Sequence, residues 1–223
     1  MNIGVFGGAF NPVHLGHLNT ASEILLKMNL DRIYFVVSAR PPHKETGHLS
    51  SFHHRYKMVE LATRDNIAFV PSDIELVRPG PSYTIETMRY FQDKFGPQVH
   101  FIAGQDAMED IGSWRSAEVL LKSCNFIVMT RPGYDPHILR DVLQGVLSVR
   151  YKNLNLKPAV KSEGDVIESF GVTGGSSHIN LVSVTPLDIS SSEIRRRLGR
   201  GQPVKYLVPE VVDEYLKKER LFQ

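Results

Sequence analysis

IGVFGGAFNPVHLGH, residues 3–17, predicts a strand that runs through two glycines into a helix. Residues 3–7 are typical of a buried strand, and the helix is expected to begin near His14 or Leu15. A helix that follows a glycine turn presents free backbone N–H groups and the positive end of its dipole, which together bind anions. His14 and His17 are three residues apart, so both could reach one phosphate cluster from the first helical turn.

Short apolar runs alternate with helical patterns along the chain. Strands are predicted at residues 3–7, 32–39, 67–71, 99–104, 126–131 and 179–184. Helical spacing occupies residues 15–29, 51–65, 82–96, 113–124, 189–201 and 206–222, and several of these segments open on a serine that could cap the helix. The alternation predicts an α/β fold, a Rossmann-like doubly wound parallel sheet with helices on both faces and short C-terminal helices.

The chain is expected to form one domain over residues 1–223, interrupted by a long excursion. Residues 137–153 are a candidate helix within residues 134–178. The remainder of that stretch has no clean period, and its glycine and serine content indicates an exposed segment. In a doubly wound sheet the ligand crevice is expected at the carboxyl ends of the strands.

Composition indicates an ordinary globular protein without a nucleic-acid or membrane partner. The 223 residues carry a formal net charge of +2, and the one basic cluster is RRRLGRG at residues 195–201. The single cysteine, Cys124, lies among apolar residues and is expected to be a buried thiol, which excludes an internal disulfide. No run approaches 18 apolar residues, so a cytoplasmic protein is predicted.

Two further segments place phosphate-binding groups at the same edge of the predicted sheet. The second strand ends in ARPPHKE, where Lys44 could neutralise phosphate charge. In DISSSEIRRRL, Ser190 to Ser192 could cap a helix whose first turns carry Arg195, forming a second phosphate clamp opposite the glycine turn. Arg55, at the end of HHR in residues 53–55, is predicted on a solvated helix surface.

Common alternatives for these motifs fit less well. The chain has neither GxGxxG nor GxxxxGK[ST], which argues against a dinucleotide-binding dehydrogenase and a P-loop NTPase. A zinc site at His14 and His17 lacks a nearby cysteine or carboxylate cluster to complete four ligands. Two surface histidines beside a glycine turn remain an alternative for the HxxH spacing alone.

GGAFNPVHLGH at residues 7–17, together with ISSSEIR at residues 189–195, resembles the nucleotidyltransferase superfamily. Within it, RPPHK (40–44), SYTIET (82–87), FIAGQDAMEDIGSW (101–114) and MTRPG (129–133) resemble the bacterial nicotinate-nucleotide adenylyltransferases. The likeness covers residues 1–133 and resumes from about residue 179. It implies that ATP and nicotinate mononucleotide react to give nicotinate adenine dinucleotide and pyrophosphate in NAD synthesis, with Mg²⁺ bound mainly through the triphosphate.

The resemblance also implies a set of site residues. Catalysis would fall to groups that hold and stabilise phosphates: His14, His17, Lys44, Ser192 and Arg195. ATP would further contact Gly7, Gly8, Ala9, Phe10, Gly104, Asp106, Arg131, Ile189 and Ser190, with Gly104 and Asp106 at the adenosine ribose. The mononucleotide would contact Lys44, Ser82, Tyr83, Thr84, Ile85, Trp114 and Arg115, with Trp114 stacked on the pyridine ring and N–H groups near Ile85 and Arg115 on its carboxylate.

Some positions depart from the family pattern, and other acceptors stay open. Ala9 stands where the family usually has threonine or serine, and Asn11 where aspartate is frequent. Nicotinamide mononucleotide is the nearest rival acceptor, followed by phosphopantetheine and sugar phosphates. A non-catalytic nucleotide sensor is the rival from another functional class, and the presence of His14, His17, Lys44 and Arg195 argues against it.

Overall fold

The computed structural model describes residues 1–40, 49–130, 135–150, 156–158 and 166–223. The strands of this part of the chain are β1 (Ile3–Gly8), β2 (Arg32–Val37), β3 (Phe69–Ser72), β4 (Val99–Gly104), β5 (Asn125–Thr130), β6 (Leu156–Pro158), β7 (Val166–Val172) and β8 (His178–Ser183). Its helices are α1 (Leu15–Lys27), α2 (Phe52–Thr63), α3 (Ile74–Val77), α4 (Thr84–Phe95), α5 (Gln105–Glu109), α6 (Ala117–Ser123), α7 (Pro136–Arg150), α8 (Ser191–Leu198) and α9 (Glu210–Lys218).

All of these strands belong to one sheet in the order β3-β2-β1-β4-β5-β8-β7-β6. From β3 to β8 neighbouring strands are parallel, whereas β7 and β6 are antiparallel to their neighbours. The order reverses between β1 and β4, the position at which doubly wound sheets open a ligand crevice at their carboxyl ends. The predicted Rossmann-like sheet is confirmed.

Helices cover both faces of the sheet. Along β2, Ile33 and Phe35 point into the core that α1, α2, α8 and α9 build, while Tyr34 and Val36 point into the core on the other face with α4, α5, α6 and α7. Burial on both faces explains why the parallel strands read as nearly continuous apolar runs rather than as alternating ones.

Part of the predicted exposed excursion is a strand of the sheet. β7 pairs with β8 and buries Phe170 and Val172, which corrects the expectation of exposure for residues 166–172. A tight turn joins the two strands, and a Cβ on Gly175 would stand 2.3 Å from the carbonyl oxygen of Lys122. Gly175 therefore permits close packing on α6 instead of marking a solvated loop.

Helix α7 confirms the candidate helix over residues 137–150, and residues 151–153 of that prediction lie outside the described residues. Among the described residues, no helix has both the length and the apolar composition that crossing a bilayer requires.

Candidate active site

The candidate site begins at the carboxyl ends of β1 and β4, where the strand order reverses. Gly7 and Gly8 end β1, and Gly104 ends β4. A Cβ on Gly8 would stand 2.9 Å from the ring of Phe10, and one on Gly7 would stand 3.2 Å from the ring of Phe101. The two glycines therefore let aromatic rings close over the strand end, a packing reason for glycine beside the predicted approach of a phosphate.

His14 and His17 form a stacked pair at the start of α1. Their ring centroids are 3.6 Å apart and the rings are inclined by 30°. The backbone N–H of His14 donates to Nδ1 of His17 over 3.2 Å, so the proton of a neutral His17 lies on Nε2. Phe10 packs edge-on against His17 with centroids 5.1 Å apart. The pair thus stands together on the first turn, and His17 has the tautomer that makes Nε2 a donor.

Burial keeps His14 neutral. The residue is 6% exposed, and its Nδ1 has no hydrogen-bond partner within the described chain. Because an imidazolium would lose its hydration there, the pKa of His14 falls from 6.5 to about 4. A Cβ on Gly16 would lie 3.0 Å from this Nδ1, so glycine at that position keeps the ring seated. His14 can therefore bring an uncharged N–H donor to an anion at neutral pH.

Acid is expected to destabilise the protein through two histidines whose pKa values are lowered in the fold. The pKa of His100 on β4 is also lowered to about 4, by burial and by His178, and burial lowers that of His14 to the same value. Between about pH 4 and pH 6.5 the unfolded chain binds more protons than the folded one, so stability falls as pH falls, by on the order of 3 kcal/mol for each histidine. Urea unfolding at several pH values should show a shallower dependence for His100→Gln; parallel curves for the two proteins would contradict the assignment.

The N-terminus of α8 lies beside the turn that follows β1. Ser190 caps this helix, its hydroxyl oxygen accepting a backbone N–H of the first turn over 3.2 Å. The hydroxyl of Ser191 donates to the carbonyl oxygen of Pro12 over 2.9 Å, and the guanidinium of Arg195 donates to that of Asn11 over 2.8 Å. These two bonds bring together the motifs near the two ends of the chain.

Arg195 differs from the two arginines that follow it. Arg196 and Arg197 approach Glu193 to 2.6 Å and 2.9 Å, and their hydrogen bonds lower the pKa of that carboxyl to about 2. Arg195 instead donates to the hydroxyl oxygen of Ser192 over 3.3 Å as well as to the β1 turn. Of the three, Arg195 is held next to the candidate phosphate-binding groups.

Arg55 is buried, which corrects its predicted place on a solvated surface. The side chain is 1% exposed and donates to the carbonyl oxygens of Ala9 (2.9 Å), Ser38 (2.7 Å) and Ser50 (3.0 Å). Burial lowers the pKa of Arg55 to about 10, so it remains a cation at neutral pH. The guanidinium therefore ties together the loops that follow β1 and β2. A sequence signal existed, because Arg55 shares a helical face with Val59, which is fully buried.

A cleft of about 300 Å³ opens beside the glycine turn. We call it the acceptor cleft. Its wall combines residues from the ends of β1 and β4, the segment before α6 and the start of α4, among them Gly7, Gly8, Gly104, Trp114 and Thr84. The structure thus brings the glycine turn and the SYT segment to one cavity.

Ser82 does not cap α4, although the sequence predicts a serine cap there. Its hydroxyl oxygen accepts the backbone N–H groups of Ala39 and Arg40 over 3.0 Å and 2.9 Å, and the helix begins at Thr84. Ser82 therefore fastens the end of the β2 loop to the start of α4, while its side chain still borders the acceptor cleft.

The first turn of α4 leaves two backbone N–H groups without an acceptor among the described residues. The N–H groups of Glu86 and Thr87 both donate to the carbonyl oxygen of Tyr83, over 3.1 Å and 3.2 Å. Those of Thr84 and Ile85 have no acceptor within the described residues. A helix start with two such donors is suited to an anionic group in the acceptor cleft.

Trp114 lies in the segment before α6, not within a helix that begins at residue 113 as the sequence predicts. It is partly buried, with its ring edge-to-face on Phe101 at a centroid distance of 5.8 Å. The guanidinium of the neighbouring Arg115 stands 4.8 Å from the centre of the Tyr83 ring. A partly exposed indole in the cleft wall offers a face for stacking.

The other predicted site residues are less informative. Asp106 is exposed on the first turn of α5, and Ile189 is partly buried just before α8. Lys44 and Arg131 lie outside the described residues.

In the described ranges, no three histidine, cysteine, aspartate or glutamate side chains gather closely enough to hold a metal ion. Cys124 is buried, and burial raises the pKa of its thiol.

Two buried polar residues of the cleft went unrecognised in the sequence. Glu75 and Thr87 are 6% and 1% exposed, border the acceptor cleft, and are joined by a hydrogen bond of 2.8 Å from the threonine hydroxyl to the carboxylate. Glu75 lies on the four-residue helix α3, which is too short to give a periodic pattern.

Comparison with known proteins places this geometry in a family. Residues 5–197 match the family model described as cytidylyltransferase-like. Over its whole length the chain is 39% identical to the "Probable nicotinate-nucleotide adenylyltransferase" of Geobacter sulfurreducens, covering 98% of that protein. It is 37% identical to the protein of the same name from Thermoanaerobacter sp., again over its whole length and over 95% of the relative.

A solved structure shares the fold. Plasmodium falciparum nicotinic acid mononucleotide adenylyltransferase, complexed with NaAD, superposes with a TM-score of 0.71 at 19% identity, over 99% of this chain and 97% of that one. With full-length relatives well above 30% identity, the chain belongs to the nicotinate-nucleotide adenylyltransferases within the cytidylyltransferase-like family of nucleotidyltransferases.

Proposed function

We propose that the chain transfers the adenylyl group of ATP to nicotinate mononucleotide, giving nicotinate adenine dinucleotide and pyrophosphate in NAD biosynthesis. An oxygen of the mononucleotide phosphate forms a bond to the α-phosphorus as the bond to the pyrophosphate oxygen breaks in line with it. That phosphate is ionised at neutral pH, so the reaction requires positioning and charge stabilisation rather than a base. The observation that carries the proposal is the joining of the histidine turn to α8 by Ser191 and Arg195.

The phosphate chemistry is assigned to the groups around this junction. The backbone of residues 7–10 cradles ATP, and His14 and His17 donate to its phosphates. Ser192 and Arg195 bind the departing pyrophosphate, and Lys44 binds the mononucleotide phosphate. Adenosine lies towards Gly104, Asp106, Arg131, Ile189 and Ser190. Neutral His14, the Nε2–H tautomer of His17 and the held guanidinium of Arg195 support these roles.

Mg²⁺ is proposed to enter with ATP, bound by phosphate oxygens. The side chains that the structure collects at the turn carry imidazole and guanidinium groups, which suit phosphate oxygens, whereas Mg²⁺ prefers oxygen ligands. The ion would neutralise part of the triphosphate charge when bound.

The acceptor cleft is assigned to the mononucleotide. Trp114 stacks on its ring, and the open amides of Thr84 and Ile85 receive the ring carboxylate. A second cavity, of about 480 Å³, includes Arg78, Arg115 and Glu86 in its wall, together with Tyr83, which lies between Ser82 and Thr84 of the acceptor cleft. Two guanidiniums and one carboxylate leave a net positive charge there. This charge favours the acid over the amide, because a carboxylate gains from positive surroundings that a neutral amide does not use.

Trp114→Ala is expected to raise KM for the mononucleotide by about tenfold and to leave KM for ATP nearly unchanged, since a lost stacking partner costs roughly 1–3 kcal/mol. Steady-state kinetics with each substrate varied in turn checks this. An equal rise for both substrates would rule out a stacking role. Tyr206→Ala serves as the control, because it also removes an aromatic side chain, but one that is exposed at the surface.

Pyrophosphate release tests the function itself. ATP is supplied with nicotinate mononucleotide, nicotinamide mononucleotide, phosphopantetheine or a sugar phosphate in separate reactions. We expect the acid mononucleotide to give the highest kcat/KM. If none of these acceptors supports pyrophosphate release, the proposed function is wrong and a non-catalytic nucleotide sensor is favoured.

We also propose that residues 1–223 form one nucleotidyltransferase domain that works in the cytoplasm. The matches along the full length of the chain support the single domain, and the unpaired thiol of Cys124 suits a reducing compartment.

A further inference from the structure

Glu75 places a carboxylate in the wall of the acceptor cleft. It is 6% exposed and borders the cleft together with Thr84 and Trp114. Its Oε2 is fully buried and accepts no hydrogen bond from the described residues. None of the ion pairs found in this part of the chain includes Glu75. A buried carboxylate without a contacting cation is costly to maintain, and the cleft is the adjoining space that could hold one.

The described residues around Glu75 hold its carboxylate in place but form no ion pair that would neutralise its charge. Its Oε1 accepts the hydroxyl of Thr87 over 2.8 Å, and that hydroxyl oxygen accepts Nη1 of Arg78 over 3.4 Å. Arg55 is close enough to Glu75 for their charges to interact, but its guanidinium donates its hydrogen bonds to backbone carbonyl oxygens. Neither guanidinium forms an ion pair with the carboxylate, and one hydrogen bond, from Thr87, orients it.

The proposed acceptor carries a matching charge. Its pyridine nitrogen is bonded to ribose, so the ring is a permanent pyridinium cation. The cleft wall also contains Phe6, Phe101 and Trp114, and among such apolar groups a charge acts over several ångströms without direct contact. A buried Oε2 can therefore stabilise the ring through space.

We propose that Glu75 is a specificity-determining residue that recognises the positive charge of the pyridinium ring in the acceptor cleft. The inference rests on the proposed function and deepens it. Trp114 supports the same charge from the ring face by a cation–π interaction, so the two residues act independently on one cation. A mononucleotide of the same shape with an uncharged ring loses both contributions.

The test compares two forms of one mononucleotide. Nicotinate mononucleotide has a cationic ring, and its 1,4-dihydro form has an uncharged ring of nearly the same shape. For the wild type, calorimetric dissociation constants and kcat/KM are expected to favour the cationic form by about tenfold or more. Glu75→Gln keeps an acceptor for Thr87 but removes the charge, and it should lower this preference by about tenfold.

Thr87→Val is the matched control, because it removes the hydrogen bond and leaves the charge. Its preference for the cationic ring should stay within about twofold of the wild type, whatever happens to its overall affinity. An unchanged preference in Glu75→Gln, or an equal fall in Thr87→Val, would overturn the proposal. A wild type without preference would do so even if Glu75→Gln failed to fold. A wild type that binds both forms but makes no dinucleotide would refute the proposed function, while the ratio of dissociation constants would still decide the role of Glu75.

Discussion

His17→Ala lowers kcat by about 100-fold or more and leaves the fold intact, on the scale of removing one transition-state donor. The ring holds Nε2–H as a donor because its Nδ1 accepts the amide of His14. Negative charge develops on the phosphates during transfer. The hydrogen bond from Nε2–H is therefore stronger in the transition state than in the complex with ATP, so its loss lowers kcat. Steady-state kcat, together with the thermal unfolding midpoint, measures the effect.

His53→Ala provides the matched control, since His53 is an exposed histidine on α2. Its kcat should stay within about twofold of the wild type, because substitutions of exposed side chains away from a functional site have small effects. Near-normal turnover of folded His17→Ala would show that His17 has no part in stabilising the transition state.

Arg55→Leu is expected to lower the free energy of unfolding by about 3 kcal/mol or more. The substitution leaves the carbonyl oxygens of Ala9, Ser38 and Ser50 without their buried donor, and each lost partner costs roughly 1–3 kcal/mol. Urea unfolding of the variant and of the wild type measures the difference.

Arg64→Leu serves as the control, because Arg64 is about half exposed at the end of α2 and its contact with Asp65 lies at the surface. Its free energy of unfolding should change by less than about 0.5 kcal/mol. If Arg55→Leu were no more harmful than this control, the loops after β1 and β2 would not depend on the guanidinium.

The sequence predicts the parallel part of the sheet because its signals are local. Each of those strands is a short apolar run, and helical spacing follows it, so the alternation alone implies the doubly wound order. β7 is not predicted in this way, because it is antiparallel, has an irregular register near Val166 and Glu168, and includes the polar Ser169. Its burial depends on pairing with β8, which no local period reveals.

The candidate site divides in the same way. The histidine turn and the serine cap of α8 are local motifs, and their meeting follows from the sheet topology. Arg55 contacts distant backbone and Glu75 borders the cavity wall, so the sequence predicts a solvated surface for Arg55 and does not single out Glu75. For Arg55, the helical face shared with buried Val59 was the usable signal; for Glu75, no pattern existed.

A competition reaction tests whether this chain adenylylates nicotinate mononucleotide in preference to the amide. Limiting ATP is supplied with equal amounts of nicotinate mononucleotide and nicotinamide mononucleotide, and the dinucleotides are separated by charge and identified by mass. We expect nicotinate adenine dinucleotide to dominate, and the two dinucleotides together to equal the pyrophosphate released. A product dominated by the amide dinucleotide, or pyrophosphate release without any dinucleotide, would contradict this expectation.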